Sequence, residues 1–208
     1  MKKKKIILTM LLILVAFGMC EIKASDITEN WKPKKSMKYQ TKVNPWIQKS
    51  FVDDFGDKTN KKYIMYETEG IFSNSATKNT YLFVQVIIAE NQDKKTRACK
   101  RVPERCPDKV AIFLQEYNKN NPAQYFIDFE NELHMKNSKN QVLEIHGLGK
   151  WNQKGGVSIR GEWNIDFINF LKDSTGIVKI AIYDGYSSSY YFEIDANGFT
   201  REYNKMLK

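Results

Sequence analysis

Proline, glycine and histidine are scarce in this sequence, and no long apolar run follows the N-terminus. The 208 residues include 5 prolines, 11 glycines and 2 histidines. This composition excludes collagen-like and low-complexity chains. With 42% hydrophobic and 27% charged residues, the chain has the composition of an ordinary globular protein, and no run reaches the roughly 20 apolar residues of a membrane-spanning helix. The sequence therefore predicts one globular domain.

The N-terminus has the pattern of a secretory signal peptide. Four lysines, Lys2 to Lys5, precede the apolar run from Ile6 to Phe17, as in the n-region and h-region of such a leader. This run is too short to span a bilayer. A signal peptide over residues 1–24 leaves a mature chain that begins at Ser25. We therefore expect an exported protein that is periplasmic, secreted or attached to the outer membrane.

Cys20 gives a second interpretation of the leader. It closes the apolar run after Phe17-Gly18-Met19, so the segment resembles a lipobox, in which the cysteine becomes the lipid-bearing first residue of a lipoprotein. Met19 departs from that pattern, because a small residue usually stands there. Cleavage after Ala24 and lipidation of Cys20 are both open. In either case the expected membrane contact is through a signal peptide or a lipid anchor alone.

The formal net charge of +9 owes much to the leader. Residues 1–24 hold five lysines and one glutamate, and their removal from the totals of 33 basic and 24 acidic residues leaves a net charge of +5. A mild excess of this kind favours solubility, whereas a nucleic-acid-binding protein usually concentrates its excess on one element. We therefore expect no nucleic-acid partner.

Two cysteines flank a short basic loop. Cys99 and Cys106 enclose residues 100–105, and in an exported protein such a pair predicts a disulfide. Closing so short a loop contributes about 2.5 kcal/mol on the chain-entropy model. The spacing is not C-x-x-C and neither histidine is near, so a metal site at this pair is not favoured. Cys20 is then the odd cysteine: lipidated, lost with the leader, or a free thiol.

The rest of the chain divides into a polar basic tether and one β-rich domain. Residues 25–45 contain two prolines, several lysines and few apolar residues, which predicts the tether. Residues 46–208 contain segments with the period of two expected of strands. The clearest strand segments are Tyr81 to Ala89, Val110 to Tyr117, Gln124 to Phe129, and a hairpin formed by Val178 to Ile182 with Tyr190 to Ile194.

Two segments place their apolar residues at helical spacing. The first contains Trp163, Phe167, Phe170 and Leu171, and the second contains Phe199, Tyr203, Met206 and Leu207. The first should end before Gly176. Many strands and only two short helices predict a mainly β fold, which is either an antiparallel β-sandwich or an open barrel.

The segment 132–146 predicts a hairpin of defined register. If Leu133 and Met135 share a buried face with residues 143 and 145, Leu133 opposes Ile145. Ser138-Lys139-Asn140 is then a three-residue loop, with Asn140 in the left-handed conformation. The opposite face carries Glu132, His134, Glu144 and His146.

These four side chains allow two interpretations. Two imidazoles and two carboxylates on one patch are candidate ligands for zinc or a similar divalent metal. The alternative is a set of solvated cross-strand charge pairs that contribute little stability. We expect no cofactor, with a divalent metal as the alternative. Asp53, Asp54 and Asp57 do not have the spacing of the calcium ligands in an EF-hand loop. A turn at Gly56 with Asx-type hydrogen bonds is the simpler prediction for them.

Three strings resemble a group of uncharacterised bacterial exported proteins. F-V-D-x-F-G-D corresponds to residues 51–57, Y-I to residues 63–64, and G-x-F-S-N-S-A-T to residues 70–77. The resemblance covers residues 46–88 and, more loosely, the ending 194–199. The β-rich body with a Gly-Phe turn before a final helix is also similar to invasion-associated locus B-like periplasmic proteins. The resemblance implies an exported protein and carries no catalytic residue.

No motif for catalysis stands out, since the chain has only two histidines, no supported Ser/His/Asp ordering and no phosphate-binding glycine loop. We therefore expect a non-enzymatic binding or structural module of the cell envelope that binds a protein or a glycan. Aromatic residues on loops are candidate ligand contacts, unless they complete the core: Trp151, Tyr186, Tyr190 and Tyr191. The second hypothesis is a metal-binding protein or metal-dependent enzyme that uses Glu132, His134, Glu144 and His146.

Overall fold

Alternation of apolar and polar residues drives the chain into long antiparallel strands. A computed structural model of the protein describes residues 45–91, 107–117, 121–123, 131–146, 148–151, 156–184 and 188–208. These residues belong to one compact unit. They are mainly β, with 54% in strands.

The described residues form ten strands and two helices. The strands are β1 (Ile47–Val52), β2 (Lys58–Ser73), β3 (Thr80–Ala89), β4 (Lys109–Glu116), β5 (Glu132–Lys136), β6 (Val142–Ile145), β7 (Leu148–Trp151), β8 (Gly156–Ile159), β9 (Ile177–Tyr183) and β10 (Ser189–Asp195). The helices are α1 (Trp163–Asp173) and α2 (Phe199–Met206). In this part of the chain, neither helix is long and apolar enough to cross a membrane.

All ten strands belong to one antiparallel sheet that is nearly closed into a barrel. Their order is β6-β5-β9-β10-β2-β3-β4-β8-β7, and β1 pairs with β2. The two ends of this order, β6 and β7, follow each other directly in the chain. The predicted class is therefore confirmed: a mainly β, antiparallel fold with two short helices.

The strand β3 shows how the sequence pattern becomes a core. Its even-numbered residues, Leu82, Val84, Val86 and Ile88, are fully buried inside the sheet. The neighbouring β4 pairs with β3 from Ala89 opposite Lys109 onward. The connecting loop, with Cys99 and Cys106, lies outside the described residues, as do residues 1–44 and the strand predicted at Gln124 to Phe129.

The C-terminal elements also follow their patterns. The predicted β9–β10 hairpin forms with Ile182 opposite Tyr190 and Ile180 opposite Phe192. The helix α1 ends at Asp173, three residues before Gly176, whose φ of 72° is left-handed. The helix α2 buries Phe199, Tyr203 and Met206, as the spacing predicts, but Leu207 lies beyond its end and is exposed.

Trp46 attaches the start of the described chain to the core. It is fully buried, and its indole Nε1 donates a hydrogen bond of 2.9 Å to the carbonyl oxygen of Asp195. Its ring packs at 5.0 Å from that of Tyr66 and at 4.8 Å from that of Phe199. Trp46 therefore packs the first described residues against β2 and α2.

The turn between β1 and β2 is an Asx-type turn, as predicted. Oδ1 of Asp53 accepts hydrogen bonds from the backbone N–H groups of Phe55 at 3.0 Å and Asp57 at 2.9 Å. Gly56 has a φ of 90°, which residues with a side chain rarely adopt. Asp53 therefore closes the turn with its side chain.

Candidate binding surface on the outer face of the sheet

The β5–β6 hairpin has the register that its apolar residues predict. Leu133 pairs with Ile145 and Met135 with Leu143, so their side chains share the inner face. In the loop, Asn140 has a φ of 62°, and its backbone N–H donates to the carbonyl oxygen of Asn137 at 3.0 Å. Burial of the alternate apolar residues therefore places the polar set on the outer face.

Pairing of β5 with β9 extends this polar set. Glu132 pairs with Tyr183 and His134 with Ala181, and Tyr191 of β10 pairs with Ala181 from the other side. Side chains that were separated in the sequence therefore occupy adjacent positions on one face. We call this group the outer-face cluster. It consists of Glu132, His134, Glu144, His146, Tyr183 and Tyr191.

Glu132 is the centre of the cluster. Its Oε1 lies 3.2 Å from Nδ1 of His146, and its Oε2 lies 3.3 Å from Nε2 of His134. The other ring nitrogen of His134, Nδ1, lies 3.7 Å from Oε1 of Glu144. The histidines and glutamates therefore alternate in a line from His146 to Glu144. Glu132, Glu144 and His146 are about half exposed, whereas the His134 side chain is only 13% exposed.

Aromatic rings border this line. The ring of Tyr183 meets that of His134 edge-on with a centroid distance of 5.6 Å, and its hydroxyl lies 3.2 Å from the hydroxyl of Tyr191. Burial and the neighbouring Tyr191 raise the pKa of Tyr183, so its hydroxyl stays protonated and able to donate. At the other end, Trp163 of α1 packs edge-on against His146 at 6.3 Å.

The cluster combines hydrogen-bond acceptors with donors. Its carboxylates accept, its phenols donate and accept, and its imidazoles do either according to their protonation. Within the described ranges, no group of three or more His, Cys, Asp or Glu side chains is arranged to hold a metal ion. Each imidazole faces a different oxygen of Glu132, so the donor atoms follow a line and do not converge on one point.

The candidate ligand contacts have different positions. Tyr191 is half-buried in the outer-face cluster. Tyr190 is 1% exposed, because the alternation of β10 points it inward, and its hydroxyl donates to Glu116. It therefore completes the core, and the prediction that it is a ligand contact is wrong. Trp151 belongs to the strand β7 and not to a loop, and its side chain lies outside the description. Tyr186 and Cys20 also lie outside the described residues.

Tyr183 is the member of the cluster that the sequence did not indicate. The period of two in β9 points Val178, Ile180 and Ile182 inward and therefore points Tyr183 outward. This much can be read from the sequence. What places it beside Glu132 is the pairing of β5 with β9. These strands are distant in the chain, and no local pattern specifies their pairing.

Comparison of the chain with protein-family models, with curated proteins and with solved structures found no match in any of the three. The resemblance to exported bacterial proteins through residues 51–57 and 70–77 therefore stays a prediction.

Proposed function

We propose that this protein is an exported, non-enzymatic binding module of the cell envelope and that the outer-face cluster is its ligand surface. One observation carries this proposal: carboxylates, imidazoles and phenols from neighbouring strands lie in two adjacent rows on the outer face of the sheet. Glu132 and Glu144 are each 46% exposed and His146 is 53% exposed. An incoming ligand can therefore reach their polar atoms.

A glycan is the ligand class that fits this chemistry best. Sugar hydroxyls need both acceptors and donors, which Glu132, Glu144 and the phenol of Tyr191 supply. The apolar faces of sugar rings pack on aromatic side chains, which keep a polar tip for hydrogen bonding. The cluster offers both properties within two adjacent rows of side chains, whereas a protein partner would need a larger apolar centre.

Binding to an array of envelope glycans tests this surface. The variant Tyr191→Ala should weaken binding about tenfold, since it removes a ring and a hydroxyl from the cluster. Tyr81→Ala is the matched control, because Tyr81 is also a partly exposed tyrosine on the outer face but lies on β3. Equal loss of affinity in the two variants would contradict the assigned surface. Binding to envelope proteins but to no glycan would show that the ligand is a protein and not a glycan.

Export is supported by the lysines at positions 2–5 and the apolar run that follows them. The intact mass of the protein recovered after export tests this part. We expect the mass of residues 25–208 less that of two hydrogen atoms. Signal cleavage removes residues 1–24, and a disulfide between Cys99 and Cys106 removes the two hydrogens. A diacylglycerol-modified Cys20 would establish the lipoprotein alternative. A full-length mass would contradict export.

A divalent metal site is the second candidate function of the same surface. It is favoured by one observation: a ring nitrogen of His134 and one of His146 both lie within 3.3 Å of the carboxylate of Glu132. Rotation of this carboxylate would let the three groups converge on an ion such as zinc. Zinc titration tests this metal site. It compares the wild type with the double variant His134→Ala, His146→Ala, and Glu69→Gln on the same face is the control. Absence of stoichiometric zinc binding would end this candidate.

A further inference from the structure

The β1–β2 hairpin extends beyond the rest of the sheet. The strand β3 pairs with β2 only from Tyr63 onward, and β10 pairs only from Gly70 onward. Among the described strands, residues 58–62 of β2 therefore have β1 as their sole neighbour. Throughout residues 51–62 every side chain is exposed or only partly buried. Residues 58–62 and the part of β1 opposite them therefore form a two-stranded ribbon that projects past the sheet.

Apolar side chains are concentrated on this ribbon. Phe55 at its tip is 93% exposed, Val52 is 61% exposed, and Phe51 is exposed as well. The ring of Phe51 packs against that of Tyr63, with a centroid distance of 4.8 Å. Single exposed apolar residues are ordinary, but a contiguous group of them marks an interaction surface.

Charge is arranged in sequence along the ribbon. Three exposed aspartates surround Phe55 at the tip: Asp53, Asp54 and Asp57. Exposed lysines follow the tip: Lys58 lies opposite Val52, and Lys61 and Lys49 lie further along the stem. The apolar pair Phe51 and Val52 lies on β1 between tip and stem. An acidic tip, an apolar middle and a basic stem are complementary to the same ribbon turned end to end.

We infer that the occupant of this surface is a second copy of the chain, bound through antiparallel packing of two β1–β2 ribbons. A twofold axis near Phe51 and Val52 places the acidic tip of each copy on the basic stem of the other, and the apolar middles pack together. Every contact then occurs twice, as in isologous dimers. The exposed aspartates at the tip disfavour the alternative of an anionic lipid surface.

Sedimentation velocity of the mature protein tests the dimer. We expect a concentration-dependent dimer that dissociates as salt is added, because its ion pairs are solvent-exposed. Val52→Ser, in the apolar middle where the two ribbons pack, should raise the dissociation constant about tenfold. Val142→Ser is the matched control, since Val142 is an exposed apolar residue on the distant strand β6. Its dissociation constant should equal that of the wild type.

Charge exchange makes the test specific to this arrangement. Asp54→Lys and Lys61→Glu should each weaken the dimer, and an equimolar mixture of the two variants should recover it, because each restores the charge pair of the other. Asp54 is chosen because Asp53 closes the turn. A protein that stays monomeric, or a dimer that these variants leave unchanged, would overturn the inference. So would Phe55-dependent binding to phosphatidylglycerol vesicles by a monomeric protein.

Discussion

The phenol of Tyr190 donates a hydrogen bond of 2.8 Å to Oε1 of Glu116 at the inner face of the sheet. Burial raises the pKa of this carboxyl above its ordinary value of 4.5, the hydrogen bond from Tyr190 opposes the rise, and the nearby Asp184 adds to it. Glu116 is therefore easier to protonate in the folded protein than in the unfolded chain.

The sign of the resulting pH dependence follows from linkage. The stability that comes from protonated Glu116 is fully present below the ordinary pKa and is lost as pH rises through the raised pKa. Glu116→Gln cannot ionise, so its stability relative to the wild type should improve from about pH 4 to about pH 7. Urea unfolding across this range measures it. A constant difference between the two proteins would contradict the raised pKa. Glu69→Gln, on the outer face, is the control.

Gly70 allows β2 and β10 to approach closely. A Cβ at this position would lie 2.3 Å from the carbonyl oxygen of Tyr191 and 2.9 Å from Cβ of Phe192. Because these atoms cannot move without shifting the strands, Gly70→Ala should lower the free energy of unfolding by about 2–3 kcal/mol. In the control Gly149→Ala, the Cβ meets the flexible guanidinium of Arg160, and the loss should be smaller. Chemical denaturation of both variants decides, and a larger loss in Gly149→Ala would refute the argument.

Asn140 closes the β5–β6 hairpin in the left-handed conformation, with a φ of 62°. A Cβ without a polar side chain is disfavoured in this region, so Asn140→Ala should destabilise the protein by about 1 kcal/mol. Asn140→Gly should cost less, because glycine adopts the conformation freely. Thermal unfolding of the two variants compares them. If both lose the same stability, the side chain of Asn140 and not its backbone conformation matters.

Tyr66 and Trp46 together satisfy the backbone of Asp195. The N–H of Asp195 donates to the hydroxyl of Tyr66 at 2.9 Å, and its carbonyl oxygen accepts from the indole of Trp46 at 2.9 Å. Tyr66→Phe should therefore cost about 1–2 kcal/mol of unfolding free energy. Tyr81→Phe, which removes a hydroxyl bonded to Glu69 on the exposed face, should change it by less than about 0.5 kcal/mol. Equal losses in denaturant titrations would show that burial of the hydroxyl is not decisive.

Much of the fold was predictable from local patterns. Leu82, Val84, Val86 and Ile88 alternate with a period of two, which predicts that they share the inner face of a strand. The structure buries all four. The same reasoning identified the register of Leu133 with Ile145, because a shift by one residue would expose the apolar set. Local turn chemistry at Asp53 and Asn140 was equally readable.

The candidate surface was predictable only in part. The alternation within residues 132–146 brings Glu132, His134, Glu144 and His146 to one face without reference to the rest of the chain. Tyr190 and Tyr191 are adjacent in sequence and both aromatic, so composition cannot decide which one is buried. The pairing of Tyr190 with Ile182 and Phe72, both buried, decides it.

The sequence by itself determined the class of the fold, the β5–β6 hairpin and the two helices, since each depends on periodicity within a short segment. Tertiary structure alone decided that β5 pairs with β9, which brings Tyr183 to Glu132. It also decided that the N-terminal end of β2 extends beyond β3 and β10. Pairing between distant strands depends on the summed burial of the whole core. No single segment encodes that sum, so it is decided when the sheet assembles.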